Sequence, residues 1–77
     1  MIEYHLDFDG DWPMWQRMCH KFWEENGYWV NEEMPGWVRA TDNYVQDIRL
    51  HKDEYKFWAV LYFNREEDLT AFLLKWA

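Results

Sequence analysis

Apolar and polar residues alternate from the first positions of the chain. Ile2, Tyr4, Leu6 and Phe8 stand on one side and Glu3, His5 and Asp7 on the other, a period of two that predicts a half-buried strand over Ile2 to Phe8. Asp9-Gly10-Asp11 then turns the chain. Pro13 behind an Asp11 cap suits the first turn of a helix, because its fixed φ matches helical backbone and its missing N–H is not needed there. Over Trp12 to Asn26 the period changes to three and four, with Trp12, Trp15, Met18, Cys19, Phe22 and Trp23 on the apolar side and Gln16, Arg17, His20, Lys21 and Glu24 opposite. This is an amphipathic helix, and Gly27 is its stop.

From Tyr28 to Asn43 the pattern breaks up. Asn31-Glu32-Glu33-Met34-Pro35-Gly36 is turn chemistry between two aromatic stretches, Tyr28 to Val30 and Trp37 to Ala40, and one or two short strands are expected there. Alternation returns over Tyr44 to Leu50. The polar connector His51-Lys52-Asp53-Glu54 leads into Tyr55 to Phe63, so the two runs predict an antiparallel hairpin. Asn64, with Glu67 three positions on, has the spacing of a helix cap, and Leu69, Phe72, Leu73 and Trp76 form the apolar stripe that follows.

The order is therefore β-α-β(β)-β-α in one domain over residues 1–77. The fold class is α+β: a two-layer sandwich with an antiparallel sheet of three to four strands and two helices on one face, like a ferredoxin-type unit lacking its last strand. One strand sets a condition on this layout. Tyr55, Phe57, Ala59, Leu61 and Phe63 share one side, while the other side carries Lys56, Trp58, Val60 and Tyr62 and is also apolar. Helices over the first side leave Trp58, Val60 and Tyr62 facing outward.

Composition explains how so short a chain builds a core. Seven Trp, five Tyr and five Phe make 22% of the 77 residues, and each such side chain buries roughly 150 to 250 Å². Trp12, Trp15, Trp23, Phe22, Phe57, Phe63, Phe72 and Trp76 stand at core spacing. Trp29, Trp37, Trp58, Tyr44 and Tyr62 have no evident internal partner. Aromatic residues rimmed by acid make up interface cores, so the candidate protein-binding set is Trp58, Val60, Tyr62, Trp29, Trp37 and Tyr44.

Charge narrows the partner. Fifteen acidic against eight basic residues give a net charge of −7, which opposes direct contact with a nucleic-acid backbone or an anionic membrane. A single-strand reader would interleave its aromatics with cations, and here the outward set has Lys56 alone. The acids fall in clusters, Glu24-Glu25, Glu32-Glu33, Asp53-Glu54 and Glu66-Glu67-Asp68, as on the surfaces and helix ends of a folded domain. One cysteine, Cys19, cannot form an internal disulfide. Met1 to His5 lacks the basic and apolar regions of a secretory leader, and both features lead to an expected cytoplasmic location.

Motifs for chemistry fail on spacing. Asp7-Phe8-Asp9-Gly10-Asp11 is similar to the nucleophile motif of haloacid-dehalogenase-type phosphatases, but those need a Rossmann-like domain about twice this length. A calcium loop starting at Asp7 would require Gly where Trp12 stands and Glu where Met18 stands. His5, Cys19, His20 and His51 have no zinc-ligand spacing, and a core-facing Cys19 is closed to nucleophilic work. The expectation is no enzyme, no metal and no cofactor.

The run Trp58-Ala59-Val60-Leu61-Tyr62-Phe63-Asn64-Arg65-Glu66-Glu67-Asp68-Leu69-Thr70-Ala71-Phe72-Leu73-Leu74-Lys75-Trp76 resembles the ending of small uncharacterised accessory proteins of contractile-tailed bacteriophages. There an aromatic strand leads into an acidic helix start and a Phe-x-Leu-(Lys/Arg)-Trp finish. The resemblance covers about a quarter of the chain, carries no activity with it, and implies a setting in the bacterial host cytoplasm. Two functions fit: an adaptor or modulator docking on a host or phage protein through the aromatic face, or an acidic mimic of DNA that blocks a nucleic-acid-binding host enzyme. A homodimer would cover the same face in another way.

Overall fold

A computed structural model describes residues 1–31 and 36–77; most of the turn expected at 31–36, with the acidic pair Glu32-Glu33, falls outside the described residues. The fold is α+β, and the described residues form three strands and three helices in the order β1 (Ile2–Asp7), α1 (Trp12–Asn26), α2 (Trp37–Thr41), β2 (Asp47–Lys52), β3 (Phe57–Phe63) and α3 (Glu66–Trp76). The sheet order is β1-β3-β2, both pairings antiparallel. The aromatic strand is therefore central, and β2 and β3 form the expected hairpin.

The middle segment departs from expectation. Trp37 to Ala40 is not a strand but the start of α2, and Tyr28 to Val30 is not a strand either. Trp37, Val38 and Thr41 are the buried residues of α2, at i, i+1 and i+4 on one helical face, and Thr41 Oγ1 donates to Trp37 O at 3.0 Å. Both strand starts also shift. Asp42 Oδ1 accepts Tyr44 N–H at 2.9 Å, so Tyr44 stands in a turn and β2 begins at Asp47. Asp53 Oδ1 accepts the N–H groups of Tyr55 (2.8 Å) and Lys56 (2.7 Å), which puts both residues in the hairpin turn rather than in β3.

Helix α1 keeps its expected bounds and ends at Gly27, whose φ of 76° is left-handed and whose N–H reaches Trp23 O at 2.8 Å. Its buried stripe is Met14, Trp15, Met18, Cys19 and Phe22. Met14 takes one margin of that stripe, so Trp12 and Trp23 fall on the other margin and are exposed, contrary to their core spacing. Neither expected cap operates. Asp11 turns its carboxylate back to β1 (Oδ2 to Asp7 N, 3.0 Å), and Asn64 donates to Gln46 Oε1 at 3.1 Å while Arg65 takes the cap position of α3.

One hydrophobic cluster joins Leu6, Ala59, Leu61, Phe63 and Ile48 of the sheet to Met14, Trp15, Met18, Cys19 and Phe22 of α1, Trp37 and Val38 of α2, and Phe72 and Trp76 of α3. Rings in unbroken contact cross it from Phe57, which is exposed contrary to its core spacing, to the exposed Tyr28. Phe57 stacks on Phe8 (4.7 Å between centroids), Phe8 meets Trp15 edge-on (4.8 Å), Trp15 meets Trp37 (5.0 Å), Trp37 meets Phe22 (5.9 Å) and Phe22 meets Tyr28 (5.4 Å). Edge-on pairs of this kind add about 0.5 to 1.5 kcal/mol beyond area burial.

A polar lock closes the far end of the core. Asp42 is buried, and its Oδ2 accepts the Trp76 indole N–H at 2.6 Å, tying the segment after α2 to the last turn of α3. Arg17 Nη1 donates to Trp76 O at 2.8 Å, so α1 holds the same turn. On the sheet side Tyr4 donates to Asp11 Oδ1 at 3.4 Å; burial first, and then the Asp11 charge, push the Tyr4 phenol above its ordinary value.

Candidate functional site

Strand parity decides which side chains share the surface opposite the cluster. With the observed register, Glu3, Tyr62 and Asp47 form one cross-strand row, His5, Val60 and Arg49 the next, and Asp7, Trp58 and His51 the third. None of these nine residues belongs to the hydrophobic cluster. The surface is a central apolar strip, Trp58-Val60-Tyr62, between two polar edge strands. Val60 is only 5% exposed although it points this way, because it stands between two rings on its own strand and two long side chains across from it.

The rims hold the rings in place. The Arg49 guanidinium lies over the Tyr62 ring at 5.9 Å, and His51 stacks on Trp58 at 5.5 Å with 13° between the planes. Each carboxylate of the face also has a basic neighbour: Asp7 pairs with Lys56 at 3.2 Å, Asp47 with Arg49 at 3.9 Å, and Glu3 with His5 at 3.4 Å when that imidazole is protonated. The Asp9 N–H donated to its carboxylate at 3.0 Å, and then the Lys56 ammonium, hold Asp7 below the usual carboxylate range. His5, Asp7, Asp53, Lys56 and Trp58 line a shallow recess at this end of the face.

Of the six expected contact residues, the fold gathers three: Trp58, Val60 and Tyr62. Trp37 leaves the surface set, being 7% exposed and packed edge-on to Trp15 and Phe22. Trp29 is 48% exposed but lies against His20 of α1, on the helical side, with ring centroids 5.4 Å apart. Tyr44 is 44% exposed in the turn held by Asp42. The rim residues Glu3, His5, Asp47, Arg49 and His51 are additions. Their signal was the polar half of each edge strand, and only the register showed that both halves flank the same three residues.

Among the described residues no three His, Cys, Asp or Glu side chains are placed to hold a metal ion, and none of the described helices is long and apolar enough to cross a membrane. No protein-family model, curated protein or solved structure matches the chain.

Proposed function

We propose that this chain is a protein-binding domain that docks on a partner through the Trp58-Val60-Tyr62 face, as an accessory protein of a contractile-tailed phage acting on a host or phage protein. The observation that carries the reading is the strip of two partly exposed aromatic rings and a valine on the central strand, outside the hydrophobic cluster and rimmed by charge. A two-layer build with the helices on one face only goes with it. The short dimension of the molecule, 19 Å against 32 and 31 Å, supports one sheet under one helical layer.

The chemistry of the face suits a partner segment that lays an apolar side chain against the exposed parts of the Trp58 and Tyr62 rings and carries basic side chains toward the acidic rim. The net charge of −7 favours the approach of such a segment. Aromatic residues steadied by a neighbour on β2 are suited to be binding hot spots, each worth about 2 kcal/mol or more on truncation.

The test is affinity of an identified partner for the wild-type domain and for Trp58→Ala with Tyr62→Ala. The expected result is a loss of at least about 30-fold with the fold intact. Unchanged affinity in a folded double variant rejects the reading. A DNA-mimicking inhibitor would behave differently: its capture would fall steeply with salt and be competed by DNA, whatever residues stand at 58 and 62.

A further inference from the structure

The phase of each ladder fixes which main-chain groups of the edge strands point away from β3. Asp53 N–H donates to Lys56 O at 2.9 Å, so that pair is hydrogen-bonded. Alternation makes His51–Trp58, Arg49–Val60 and Asp47–Tyr62 hydrogen-bonded pairs as well, and leaves Ile48, Leu50 and Lys52 with N–H and C=O turned outward. The first of these outward donors is already taken: Ile48 N–H bonds Asp47 Oδ1 at 2.8 Å. Gln46 N–H also reaches Tyr62 O at 2.7 Å, so two residues stand against one where β2 begins, as in a bulge.

The opposite edge is closed at one end too. Asp7 N–H donates to Asp11 Oδ2 at 3.0 Å, and Asp7 O accepts Asp11 N–H at 2.6 Å. Both contacts lie outside the sheet, which puts Asp7, His5 and Glu3 in the outward phase of β1. Asp11 thus answers one residue's donor and acceptor, as a neighbouring strand would, and Tyr4 holds its second oxygen. Only Glu3 and His5 on β1, and Leu50 and Lys52 on β2, keep outward groups without such a contact from Asp11 or Asp47.

We propose that Asp11 and Asp47 are edge guards, which close both borders of the sheet to strand addition by a second copy of this chain. An incoming strand would bring a carbonyl oxygen to Asp7 N–H or to Ile48 N–H. It meets a donor already bonded to a side-chain oxygen, which leaves that carbonyl without a partner. Natural sheets commonly protect their borders with charged groups and bulges. The inference stands apart from docking on the open face, since it concerns main-chain groups in the plane of the sheet.

Sedimentation of Asp11→Ala with Asp47→Ala, beside the corresponding Asn variants, tests it. The Ala pair is expected to self-associate with a dissociation constant at least tenfold below that of wild type, with slowed amide exchange at His5 and Leu50. Asn keeps an acceptor oxygen at both sites, so the Asn pair is expected to sediment as wild type does. Should Asp11→Ala disturb the fold, Asp47→Ala alone, at an exposed side chain, is expected to associate through β2. A folded Asp47→Ala that sediments like wild type overturns the proposal, and so does a wild-type chain already paired through its edges.

Discussion

Two faces of one strand make opposite use of the same kind of residue. Ala59, Leu61 and Phe63 are fully buried under the helices, whereas Trp58 and Tyr62, one position along, keep part of their rings in water and are steadied by His51 and Arg49. The first set belongs to the hydrophobic cluster, where Phe63 meets Phe72 of α3. The second has only polar edge strands beside it. Hydrophobicity alone does not separate them, since β3 is apolar throughout; what separates them is membership of the hydrophobic cluster.

Substitutions on the two faces should therefore diverge in kind. Phe63→Ala is expected to cost about 3 to 5 kcal/mol, enough to leave much of so small a domain unfolded, and chemical denaturation measures it. Asp42→Ala should cost about 2 to 3 kcal/mol, because it strands the buried Trp76 indole N–H. Asp42→Asn, which keeps an acceptor, should cost less. Trp58→Ala with Tyr62→Ala should lower stability by only about 1 kcal/mol, in line with half-exposed cross-strand pairs, while removing partner affinity. If the double variant instead melts like Phe63→Ala, the open face is a second core and the contrast fails.

The smallest effect lies at the rim. The folded-state pKa of Asp7 is depressed, so its contribution is present above the ordinary carboxylate value and is lost as pH falls through the folded value. Lys56→Ala removes one of the two causes. Its thermal midpoint should decline less steeply than that of wild type below the usual carboxylate range, and equal slopes would show that the Asp7–Lys56 pair is solvated away.

Long periodic runs were legible in the sequence because they repeat: α1 kept its bounds, and β1, the hairpin and α3 appeared within a few residues of their expected places. The short α2 was not, since five residues show a single turn, and Trp37-Val38-Arg39-Ala40 reads equally well as a strand. Asp11 and Asn64 were misassigned for one reason. Each has the right side chain at a cap position, but a partner distant in sequence or back along the chain engages it instead. Three of the nine residues of the candidate surface were visible as the Trp58-Val60-Tyr62 side of one strand. Its rim was not, because the faces of Glu3, His5, Arg49 and His51 depend on a register that composition cannot supply.

The chain of rings from Phe57 to Tyr28 gives the molecule a built-in optical signature. It draws one ring or more from β3, from the turn after β1, from α1, from α2 and from the segment behind α1. Near-ultraviolet circular dichroism responds to fixed aromatic packing, and here neither α1 nor α2 can move away without parting neighbouring chromophores. Heating should erase that spectrum in a single step, coincident with the loss of the far-ultraviolet helical signal.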